Sequence, residues 1–157
     1  MTTLRDAAYN PAVPPPTLSD EPGRSARAVS RLPLGQAFTL TVRGGSMEPT
    51  LRSGEAVRVR RASFGWPGDI AVVRSGSSVV VHRVLGYRPH RGGWAFVTRG
   101  DARACIDPPV ASRDILGVLE ETGADGRPVR TDWLTRARSF GAFVRIAGHA
   151  VLRRVRA

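Results

Sequence analysis

Four side chains in this sequence carry the functional groups of acyl transfer: the Ser46 hydroxyl, the His82 imidazole and the carboxylates of Asp101 and Asp107. Serine becomes a nucleophile when a neutral imidazole takes its proton, and a carboxylate can hold that imidazole in the required tautomer. Ser46 stands in the run Gly44-Gly45-Ser46-Met47-Glu48-Pro49. The two glycines admit backbone conformations closed to other residues, and Pro49 stiffens the far side. Such a turn exposes a hydroxyl and turns the N–H groups of Gly45 and Ser46 towards a carbonyl, where an oxyanion would form. Met47 and Pro49 flank the serine as candidate substrate contacts. His82 lies in Val79–Val84 (VVVHRV), and an ordinary imidazole is a workable general base near neutral pH. Asp101 follows Gly100, and Asp107 precedes Pro108 and Pro109; either could orient the imidazole. Each residue alone also fits a plain role: a Gly-Ser turn, a satisfied core histidine, an aspartate bonding its own turn.

These groups need a scaffold, and the pattern around them predicts strands. Ala37–Arg43 alternates, with Phe38, Leu40 and Val42 on one face. Ala56–Arg60 does the same, with Val57 and Val59 inward. Pro67-Gly68-Asp69 is a turn before a strand at Ile70–Arg74, and Ser75–Ser78 is a short hairpin loop. Val79–Leu85 is the strongest strand. Alternation there puts Val80, His82 and Val84 on one face, and Val79, Val81, Arg83 and Leu85 on the other. Trp94–Thr98 and Asp114–Glu120 complete the set. Short strands between Gly/Pro turns predict a mainly β, antiparallel domain. Its expected span is 33–122, after a disordered Pro-rich tail at 1–32. From 123 to 157 a linker leads into a basic amphipathic helix, where Trp133, Ala137, Phe140, Val144, Ala147, Val151 and Val155 recur at three- and four-residue steps. Packing of that stripe on the β-core is the expected outcome. A peripheral membrane contact is the alternative, because arginines border the stripe.

Composition narrows the function. The chain has 157 residues, enough for one domain with tails, and a formal net charge of +11. A single cysteine, Cys105, excludes an intrachain disulfide and a multi-cysteine zinc site, and only His82, His90 and His149 could add imidazole ligands. Neither a metal nor another cofactor is expected. Cys105 has no paired base to mark it as a nucleophile. No apolar run approaches the roughly 20 residues of a membrane span. Met1–Asn10 lacks the apolar core of a signal peptide, so a cytoplasmic location is expected. The charge suggests anionic partners, but all 24 basic residues are arginine, a bias that base composition alone can produce. The strands are poor in exposed aromatics for base stacking, so nucleic acid is not the expected partner.

Taken in order, the segments Ser46-Met47-Glu48-Pro49-Thr50-Leu51, Gly68-Asp69-Ile70, His82-Arg83-Val84 and Arg99-Gly100-Asp101-Ala102 resemble the signal peptidase family of serine proteases. More narrowly, they resemble the branch of the endoplasmic reticulum, archaea and some Gram-positive bacteria. That branch uses serine with histidine, where most bacterial signal peptidases and the related LexA-type repressors use serine with lysine. The resemblance runs from about Val42 to Val118. It implies the antiparallel, barrel-like catalytic fold of that superfamily and endopeptidase activity on an extended peptide with small residues before the cut. It also implies Asp101 as first choice to support His82, with Asp107 second. The lysine count is independent support: no Ser–Lys dyad is available, and arginine stays protonated. Many relatives carry a serine two positions before the nucleophile, where this chain has Gly44. The segment Ala26-Arg27-Ala28 matches a small-x-small cleavage pattern. The competing reading is a basic, non-enzymatic β-domain on a decayed protease fold that binds nucleic acid or another anionic partner.

Overall fold

The computed structural model describes residues 24–90, 93–122, 127–128, 131 and 133–155. Helix α1 (Arg24–Arg31) leads into strands β1 (Ala37–Thr41), β2 (Ala56–Arg60), β3 (Ile70–Ser75), β4 (Ser78–His90) and β5 (Gly93–Arg99). The short strand β6 (Val110–Ala111), β7 (Ile115–Thr122) and β8 (Arg127–Pro128) follow, and helix α2 (Trp133–Val155) is the last described element. The strands form one sheet in the order β1-β2-β7-β3-β4-β5-β6, with β8 on β7. Every strand pair described is antiparallel. The mainly β, antiparallel expectation holds.

The sheet has a core on each face. Ile70 and Val72 of β3 join Phe38, Leu40, Met47, Val57, Val59 and Leu116 in one cluster; Ala71 and Val73 join Val84, Phe96 and Ile115 in the other. A strand covered on both sides needs apolar residues at every position, which is why β3 reads Ile-Ala-Val-Val without alternation. β4 divides in the same way. Val79 and Val81 pack on the first cluster, Val80 and Val84 in the second, so His82 shares the face of the even-numbered valines.

Two expectations need correction. The stretch 24–31, assigned to the tail, is helical, and Ala26 and Val29 are buried in the first cluster. The prolines that dominate the reading of the tail all lie before Arg24, and residues 1–23 fall outside the described set. The pattern Ala26-Arg27-Ala28 is therefore part of a helix with Ala26 buried, not an extended peptide. The second correction concerns α2. It docks on β4, but by the face of Arg136, Ser139 and Phe143, while Trp133, Ala137, Phe140 and Val144 are exposed. Residues three or four apart recur on both faces of this helix, and β4 has a seat for only one. A Cβ at Gly86 would stand 2.7 Å from the Phe143 ring, so the missing side chain is what admits the helix. Ala147, Val151 and Val155 have side chains outside the described set. No helix among the described residues is long and apolar enough to cross a membrane.

Val29 is 1% exposed, so Val29→Ala is expected to cost about 2 kcal/mol of unfolding free energy. Urea denaturation measures this; an unchanged midpoint would show that α1 is not part of the folded unit.

Candidate active site

The Ser46 loop leaves β1 through Gly44, whose φ of +76° no ordinary residue holds comfortably. Leu51 and Met47 anchor the loop in the core beneath the serine. Met47 is therefore not available as a substrate contact, whereas Pro49 is exposed. Met47 is the one large apolar side chain between Gly44 and Pro49, and burying it fixes the turn. The Ser46 carbonyl accepts from Ala102 N–H at 2.9 Å, which ties the loop to the turn after β5. Among the described residues, none accepts a hydrogen bond from the N–H of Ser46.

The Ser46 Oγ lies 3.1 Å from His82 Nε2, and His82 Nδ1 lies 2.6 Å from Asp107 Oδ2. Burial alone would raise the Asp107 pKa. Hydrogen bonds from His82 and Thr98 and the charges of His82 and Arg103 outweigh it and hold the carboxyl below its ordinary range. An ionised carboxylate only accepts, so Nδ1 carries the proton and donates it to Asp107. In the neutral ring this places the Nε2 lone pair towards the Ser46 hydroxyl, the tautomer a general base requires. Thr98 Oγ1 donates to Asp107 Oδ2 at 2.8 Å, and Asp107 N–H donates to the Thr98 carbonyl at 2.9 Å. This reciprocal pair fixes the far end of the loop on β5.

Asp101, the first choice as partner for His82, is not in contact with it. Its carboxylate takes both Nε and Nη2 of Arg83, at 2.8 and 2.6 Å, and the Thr50 hydroxyl at 2.6 Å. The reason is strand geometry: Arg83 follows His82 and points to the opposite face, and Asp101 goes with Arg83. Burial opposes ionisation here too, but hydrogen bonds from Arg83 and Thr50 keep Asp101 below the usual carboxylate range. Thr50 ends the Ser46 loop and Arg83 adjoins His82, so this carboxylate clamps together the two segments whose side chains must meet. Arg83 also donates to the Gly68 carbonyl at 2.7 Å. Thr50, Arg83 and Thr98 were not singled out by sequence reasoning, since nothing in their spacing marks which aspartate each would meet. Gly100 closes the assembly. A Cβ there would stand 2.5 Å from the Ser46 carbonyl and 3.0 Å from His82 Nε2.

β3 pairs with β4 over Ser78–Arg83, but β5 begins to pair on the other edge only at Arg83. The β5-side edge of Val79–Val81, next to His82, has no strand partner among the described residues. Cys105 and His90 are exposed and stand in none of the hydrogen bonds of this cluster. The side chain of His149 is outside the described set.

A family model described as Peptidase S24-like matches residues 9–94, more than half of the chain. The match includes Ser46 and His82 and ends before both aspartates. No curated protein matches the chain.

Both aspartates have depressed folded-state pKa values, so the stability they contribute is complete above the unfolded value, about pH 4, and is lost as pH falls through the folded values. Urea midpoints measured from neutral to acid pH should fall below about pH 4 and show a weaker acid dependence in Asp101→Asn; a flat profile would refute the clamp. Gly100→Ala should destabilise by about 1–3 kcal/mol through overpacking against the Ser46 backbone.

Proposed function

The chain belongs to the Peptidase S24-like family, and from that premise we propose that it is a serine endopeptidase of signal-peptidase type, working through Ser46, His82 and Asp107. The observation that carries this reading is the continuous line from Ser46 Oγ to His82 Nε2 at 3.1 Å and from Nδ1 to Asp107 at 2.6 Å. In the proposed reaction His82 takes the hydroxyl proton as Ser46 attacks the scissile carbonyl. The N–H groups of Ser46 and Gly45 donate to the oxyanion. The imidazolium then protonates the leaving amine, and water releases the acyl group by the same path in reverse. Asp107 stabilises the imidazolium without taking its proton. The absence of lysine from the chain excludes a Ser–Lys dyad and supports histidine as the base.

The substrate is an extended peptide that lies along the unpaired edge of Val79–Val81, adding a strand beside the base. Pro49, exposed on the serine loop, is the remaining candidate substrate contact. The resemblance to the Ser–His branch suggests small residues at the first and third positions before the cut. Such a preference follows where backbone and valine side chains leave only shallow pockets.

Digestion of a peptide library tests the proposal. Ser46→Ala and His82→Ala are each expected to lower cleavage by about 10⁴-fold or more with the fold intact. Asp107→Asn should cost about 10⁴-fold in kcat through loss of the tautomer, and Asp101→Asn less. Full cleavage by Ser46→Ala, or a larger loss in Asp101→Asn than in Asp107→Asn, would reject the assignment. No cleavage by the wild type, with steeply salt-dependent DNA binding, would favour the non-enzymatic reading.

A further inference from the structure

Over 133–144 the solvent side of α2 carries an apolar arc. Trp133, Ala137, Phe140 and Val144 recur at steps of four, three and four, which gathers them in one arc of the helix. Trp133 is 73% exposed, Phe140 54% and Val144 52%. Leu134, also exposed, widens the arc, and the exposed Arg138 and Arg145 line its outer border. The helix does not swing freely. Arg136 donates to Asp69 at 3.1 Å, Thr131 donates to the Gly68 carbonyl at 3.4 Å, and Phe143 sits over Gly86. The Asp69 that holds Arg136 also caps the N–H of Trp66, a second exposed tryptophan on the adjoining turn. The apolar arc is thus held outward by polar contacts on the docked face. That is the reverse of a helix whose stripe covers a core.

We propose that this face seats on the surface of an anionic lipid bilayer, with Trp133, Phe140 and Val144 at the acyl boundary and Arg138 and Arg145 at the headgroups. Charge complementarity selects this occupant. A second copy would set another chain of net charge +11 against this one, and in an antiparallel seat on the same arc it would bring both pairs of arginines together. A nucleic acid backbone calls for converging arginines, not an apolar arc with arginines along one border. An apolar face flanked by arginine, with tryptophan on it, matches the interfacial boundary between acyl chains and phosphate. The inference is independent of the peptidase reading.

Cosedimentation of the full chain with phosphatidylcholine vesicles, and with vesicles of phosphatidylcholine and phosphatidylglycerol, tests it. Binding is expected to the anionic vesicles and should weaken as salt rises. Trp133 fluorescence, read in a W66F/W94F background, should be quenched by acyl-brominated lipid. Phe140→Ser should weaken partitioning roughly tenfold, and R138E/R145E at least about fivefold for each arginine. These positions are exposed, so circular dichroism and urea midpoints should match wild type and separate lost binding from lost folding. The proposal is overturned by absence of binding to anionic vesicles, or by unchanged binding in both variants, which would assign it to diffuse charge. It is also overturned by self-association, or by tighter binding to duplex DNA, that Phe140→Ser or R138E/R145E abolishes while vesicle binding persists.

Discussion

A β-strand sends neighbouring side chains to opposite faces, and the candidate site depends on what β4 does with that rule. His82 and Arg83 are adjacent in sequence and diverge in space, and each meets a different carboxylate of one return loop. The loop from Gly100 to Asp107 delivers Asp101 to Arg83 as it leaves β5. It delivers Asp107 to His82 once it has folded back on Thr98. Neither carboxylate could exchange roles without inverting the strand, because a one-residue shift would reverse both faces together.

The two aspartates do different physical work. Asp107 decides which nitrogen of His82 holds the proton, a matter of tautomer. Asp101 decides whether the serine loop and the histidine strand lie at the right separation. Through Thr50 it holds the end of one, and through Arg83 it holds the other. A carboxylate with three charge-assisted or hydroxyl donors is expensive to protonate, so the clamp is rigid over the range where a histidine base would operate. The Ser46 carbonyl bond to Ala102 adds a third tie. Gly100 is the consequence, since three chain segments converge there and leave no room for a Cβ.

Much of this is legible in the sequence. β2 matches its expected bounds, and Phe38, Leu40 and Val42 face inward as their alternation predicts. The pairing of Ser46 with His82 was also readable, since glycine turn and strand histidine are each local patterns. What local pattern could not reach was the choice between Asp101 and Asp107. Both sit in turns with Gly or Pro nearby, and only the path of the loop separates them. Met47 misled for a related reason: beside a nucleophile, a large apolar residue reads as a substrate contact, yet its side chain fills the core below the turn. Helix α1 shows no period in the sequence because, among its described side chains, Ala26 and Val29 are the ones in the core.

The orientation of α2 follows from a competition between unequal faces. Burying the stripe of Trp133, Phe140 and Val144 on the sheet would remove more apolar surface than burying Phe143. The stripe nevertheless faces out. The seat on β4 is a glycine, Gly86, beside a turn whose Gly68 carbonyl and Asp69 carboxylate accept hydrogen bonds. A wide aromatic stripe laid there would strip water from Asp69 and bring no cation to pair with it, whereas Arg136 supplies a guanidinium and Phe143 fits the space that Gly86 leaves. The same Gly68 carbonyl accepts from Arg83, so the helix seat and the Asp101 clamp share one turn. The Gly68 turn thus joins the seat of α2 to the strand that carries His82.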